Sequence, residues 1–92
     1  MKINAKTFNK FKFAFCASGF DGITFNDGYN MPKFGITKEQ HDALAALAHA
    51  MHGMDARDVT LSEINRFLDG EKVQGDHADN AMVARVATAF AH

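Results

Sequence analysis

The chain has 92 residues, 47% of them hydrophobic and nine of them Phe, which is enough for one domain whose core needs neither disulfide nor metal. The single cysteine, Cys16, excludes an internal disulfide and fits the reducing cytoplasm; no apolar run reaches bilayer-spanning length, and no signal-peptide pattern opens the chain. The formal net charge of −1 divides unevenly, with six lysines against Asp21 and Asp27 in residues 1–38, and four basic against nine acidic residues thereafter.

Residues 1–35 read as β. In KFKFAFCA, Phe11, Phe13 and Phe15 alternate with Lys10, Lys12, Ala14 and Cys16, the period-two pattern of a strand with one buried face. A helix is the alternative, with Asn4 as cap, Phe8, Phe11 and Phe15 on one stripe and Gly19 as terminator. It leaves Phe13 off the stripe and crowds three aromatics into five residues, so the strand is preferred. The SGFDG run supplies a turn, and Ile23, Thr24 and Phe25 form a short β-rich piece. Asn26-Asp27-Gly28 carries tight-hairpin chemistry, and residues 29–31 pair as a third strand ended by Pro32. The expectation is a small antiparallel meander of two or three strands. Phenylalanines line one face and Lys10 and Lys12 the other.

Residues 37–92 read as helical. Thr37 and Gln40 have capping-box spacing, Leu44, Leu47, Ala48 and Met51 form an apolar face, and Gly53 closes the helix. This is the helix on which the rest packs. A polar connection over 53–59 leads to a second capping box, Thr60 and Glu63, with Leu61, Ile64, Phe67 and Leu68 facing inward up to Gly70. After a loop over 71–75, Asp76 caps a last helix with Met82, Val83, Val86 and Phe90 on one side. The fold class expected is α+β in a single domain over 1–92, mainly β to residue 36 and helical beyond, its three helices covering one face of the sheet.

Candidate chemistry is sparse. His49 and His52 are three apart on a helix and within reach of one metal, but His41 lies two turns away and no cysteine or familiar carboxylate spacing completes a site. The expectation is exposed histidines flanking the apolar stripe, and no metal. Cys16 lies in an apolar run where thiols are inert. No nucleophile elbow, no phosphate-binding glycine loop and no opposed carboxylate pair is present, so neither enzyme activity nor a cofactor is expected. Arg57, Ser62, Asn65 and Arg66 suggest a helix-turn-helix, yet Glu63 and Asp69 share that helix in an acidic half, so they read as ordinary surface residues. The lysine-rich first half leaves direct nucleic-acid binding as the alternative function, although a strand would turn its phenylalanines inward and leave only lysines to the ligand.

The whole chain, with MKINAKTFNKFKFAFCASGFDGITFNDGY in front, capped helices behind and no enzyme motif, resembles the small phage-encoded anti-CRISPR proteins directed against type I-F surveillance complexes. That group shares a role and no signature motif, so no residue roles transfer from it. The resemblance implies a cytoplasmic inhibitor that binds the multi-subunit Cas protein–guide RNA complex and blocks recognition of target DNA, with neither membrane nor small-molecule substrate involved. The charge split leaves two mechanisms open: the acidic helices occupy arginine- and lysine-lined surfaces that would hold the target duplex, or the lysine side touches guide RNA or acidic loops. On this chain's own residues, the expected partner contacts are Lys10 and Lys12 of the basic half. With them go Asn26, Asp27, Tyr29, Asn30 and Lys33 of the turn segment, where asparagine and tyrosine suit an interface.

Overall fold

A computed structural model describes residues 2–17, 34–70 and 80–91. Among these residues the chain forms four α-helices, α1 (Ala5–Ala17), α2 (Lys38–His52), α3 (Leu61–Leu68) and α4 (Asn80–Ala89), with a 3-10 helix (Gly53–Asp58) joining α2 to α3. None of the described residues is in a strand, so the α+β expectation is replaced by a helical one. The expected pieces at 23–25 and 29–31, and the turn between them, lie outside the described residues.

The correction centres on α1. Asn4 caps it: its Oδ1 accepts from the Thr7 amide at 2.8 Å, and its carbonyl accepts the Phe8 amide at 3.0 Å. Phe11 and Phe15 are fully buried, whereas Phe13 is 72% exposed. A strand would have turned all three the same way. Residues four apart share a face under both periods, so Phe11 and Phe15 fit either reading. Phe8, three residues before Phe11, joins the buried side and decides for the helix. The Phe11 and Phe15 rings stack with centroids 5.1 Å apart, and Phe8 lies 6.2 Å from Phe11. These tertiary contacts outweigh the strand preference of aromatic residues.

The helix α2 lies at the centre, touching α1, α4 and the 3-10 helix. Its capping box is complete, with the Gln40 amide donating to Thr37 Oγ1 at 3.0 Å and the Thr37 amide to Gln40 Oε1 at 3.1 Å. Leu44, Leu47, Ala48 and Met51 are all buried, as the spacing predicts. His41 departs from expectation: it is fully buried, with its ring 5.7 Å from Phe11 and 6.0 Å from Phe15. Its Nδ1 lies 2.9 Å from Asp42 Oδ1, and Asp42 also pairs with Lys38 one turn back. The helix ends at Gly53, whose φ of 57° and ψ of −124° suit glycine and little else.

Residues 53–59, expected as a polar connection, tuck Ala56 and Val59 into the core. The Thr60–Glu63 capping box opens α3 as expected, and Ile64, Phe67 and Leu68 are buried. Val86 and Ala89 bring α4 onto the same core, with Val83 and Phe90 at its margin. Two side-chain amides fasten the assembly. Gln40 Nε2 donates to the Ala89 carbonyl at 3.1 Å, tying the start of α2 to the end of α4. Asn65 Nδ2 donates to the Ile3 carbonyl at 2.9 Å while the Ile3 amide donates back to Asn65 Oδ1 at 2.7 Å. Asn65 is therefore a clamp on the N-terminal segment, and not the ordinary surface residue expected.

Candidate docking surface on the first helix

Residues 2–17 hold Lys2, Lys6, Lys10 and Lys12 and no acidic residue. On a helix, Lys6, Lys10 and Phe13 stand four and then three residues apart, with Asn9 between them, and so share one face. That face is opposite the one carrying Phe8, Phe11 and Phe15. Lys6, Asn9 and Phe13 are exposed and Lys10 is half-buried. The solvent side of α1 is thus lysine and asparagine leading to one uncovered aromatic ring.

Asn9, Lys10, Phe13 and Phe34 line a cleft of about 480 Å³. Phe34 is half-buried and packs on the core from the segment leading into α2, giving the cleft one fixed aromatic wall. The Lys10 stem is held at Gly35. A Cβ on that glycine would stand 3.2 Å from Lys10 Cδ and Cε, and its φ of 73° is a left-handed value. The missing side chain is what gives the Lys10 stem its place beside the cleft.

Of the expected contact residues, Lys10 and Lys12 are described, and they part company. Two residues apart on a helix is about 200°, so the pair that a strand would place together points to different sides. The Lys12 ammonium lies 5.8 Å from the Phe8 ring centroid and donates to the Arg57 carbonyl, which ties α1 to the 3-10 helix. Asn26, Asp27, Tyr29, Asn30 and Lys33 lie outside the described residues. Sequence reading missed Lys6, Asn9, Phe13 and Phe34. The signal for the first three was their 6, 9, 10, 13 spacing, which a helical reading of α1 exposes.

Elsewhere the polar groups are engaged locally. His49 Nδ1 lies 3.2 Å from the Gly53 carbonyl, and His52 Nε2 lies 2.8 Å from Glu63 Oε2, linking α2 to α3. Burial acts to raise the Glu63 proton affinity, but hydrogen bonds from His52 and Thr60 outweigh it and hold the carboxyl below the usual range. No group of three or more metal-ligating side chains comes together among the described residues. Cys16, expected within an apolar run, is exposed near the end of α1. A second, mixed-charge cleft of about 330 Å³ is lined by Lys38, Glu39, Asp42, Arg85, Thr88 and Ala89. No helix among the described residues is long and apolar enough to cross a membrane.

Comparison with protein-family models, curated proteins and solved structures returned no match.

Proposed function

We propose that the chain is a non-enzymatic docking protein, a phage inhibitor that binds the type I-F CRISPR surveillance complex in the host cytoplasm and blocks its access to target DNA. The observation that carries this reading is the solvent face of α1, where Lys6 and Lys10 lead along one stripe to an exposed Phe13 with no acidic residue on the helix. A complex of Cas proteins on guide RNA displays phosphates and acidic side chains, and a one-sign face steers and orients docking on such a surface. An exposed aromatic at the end of that face supplies the apolar contact that fixes position once the charges have met. The whole-chain resemblance to type I-F anti-CRISPR proteins names the partner.

The test is gel filtration of the chain with purified type I-F surveillance complex, followed by a mobility-shift assay with target duplex. Co-elution and loss of target binding are expected, and the double variant Lys6→Glu, Lys10→Glu should elute separately while keeping its helical circular dichroism. Failure to co-elute with complexes from several hosts ends this reading.

A further inference from the structure

We propose that the cleft between Phe13 and Phe34 holds an unpaired base of a single-stranded nucleic acid, with the Lys10 and Lys6 ammoniums on the adjoining phosphates. This rests on the reading of α1's solvent face as the contact surface and assigns that face its ligand. In the docking complex the ligand is exposed single-stranded guide RNA.

Three observations converge on this occupant. Phe13 keeps 72% of its surface in water on a helix whose other aromatics are packed away, so its ring is available to a ligand. Its cleft has a second aromatic wall in Phe34 and a polar rim in Asn9 and Lys10, and about 480 Å³ accommodates a planar base. Among the described residues that line the cleft or share its face on α1 the charge is positive: Lys10 sits at the rim with its stem against Gly35, and Lys6 follows one turn back along α1. Aromatic platforms beside lysines that track a backbone are how proteins hold single strands without reading sequence. A duplex keeps its bases stacked inside, so its phosphates would meet the lysines while the cleft stayed empty. An anionic membrane surface would require a broad apolar face, and on α1 that face is spent on the core.

The experiment is fluorescence anisotropy of the full chain with a labelled, unstructured 12-nucleotide oligouridine, a single-stranded DNA of the same length, and a duplex, at low and moderate salt. Both single strands should bind, the duplex should bind at least tenfold more weakly, and affinity should fall steeply with salt. Phe13→Ala should weaken single-strand binding about tenfold and Phe13→Tyr should retain it. Lys10→Gln should reduce the salt slope by about one. Phe13 is exposed, so unchanged circular dichroism is expected and separates lost contact from lost fold. The proposal is overturned if single strands are not retained at low salt, if Phe13→Ala binds as well as the parent, or if duplex and single strand bind alike. Co-elution with the surveillance complex without single-strand binding overturns this inference alone. Single-strand binding without co-elution overturns the inhibitor reading and leaves the cleft assignment intact.

Discussion

Phe13 and Phe15 stand two residues apart and have opposite energetics. Phe15 is fully buried against Phe11 and His41, so Phe15→Ala removes packed surface and opens a cavity. Phe13 contributes little area to the core. Urea denaturation should show Phe11→Ala and Phe15→Ala each losing about 3–5 kcal/mol, and Phe13→Ala staying within about 0.5 kcal/mol of the parent. A large loss from Phe13→Ala would mean that its ring is covered in solution, and the docking surface would have to be abandoned. Gly35 offers a second test at this scale. Alanine there must adopt a φ of 73° and push against the Lys10 stem, so Gly35→Ala should cost about 1–2 kcal/mol and displace the ammonium from the cleft rim.

At the scale of elements, what decides whether a segment can be read is whether its signal is local. The capping boxes of α2 and α3 are made by residues three apart, so the sequence that specifies them is also the sequence that makes the bonds, and both read correctly. The helix α1 has no such box. Its Asn4 cap is one bond, and its Phe11–Phe15 pair is common to period two and period 3.6. What selects the helix is burial of the Phe8, Phe11 and Phe15 stripe against α2 and the 3-10 helix; the stripe is legible in the sequence, but that its burial outweighs the strand preference of the aromatics is not. The make-up of the first helix's solvent face was hidden for the same reason: a strand places Phe13 in the core and pairs Lys12 with Lys10. The joints between elements lend themselves to test. In Gln40→Glu the capping-box acceptor survives, but the donor to the Ala89 carbonyl is lost and a negative charge meets the C-terminal end of α4. A loss of about 1–2 kcal/mol is expected, read as a lower melting temperature. The His52–Glu63 joint carries a pH dependence. The Glu63 carboxyl titrates lower folded than unfolded, so its contribution is fully present above the ordinary carboxylate range and disappears as pH falls through the depressed folded value. Between pH 6 and pH 3 the parent should lose more melting temperature than Glu63→Gln, in which that position is uncharged throughout. Equal losses would show that the joint contributes nothing through charge.

At the scale of the whole molecule, the basic helix is carried on a body whose core draws on every described helix, and the join between the two sets how rigidly the lysine face is presented. Phe11 and Phe15 anchor the middle and end of α1, but Lys6 and Asn9 lie nearer its start, where the fixed point is Ile3 against Asn65 of α3. Ile3 is 4% exposed, so its amide and carbonyl depend on Asn65 once water is excluded. Asn65→Leu keeps the bulk and removes both partners. Asn65→Asp keeps the acceptor for the Ile3 amide but sets a carboxylate oxygen, in place of the donor, against its carbonyl. Leaving a buried backbone group unpaired costs about 1–3 kcal/mol. Both variants should therefore lose about 1–3 kcal/mol, the leucine by orphaning both backbone groups and the aspartate by orphaning one and repelling it. The loss is also local. Hydrogen exchange should quicken at the Phe8 amide in the first turn of α1 and stay slow at Phe15, because the stacked rings hold the later turns independently of the clamp. If exchange instead rose uniformly along the helix, α1 would be docked as one cooperative unit. Partner binding by its lysine face would then fall with global stability rather than with the order of its first turn.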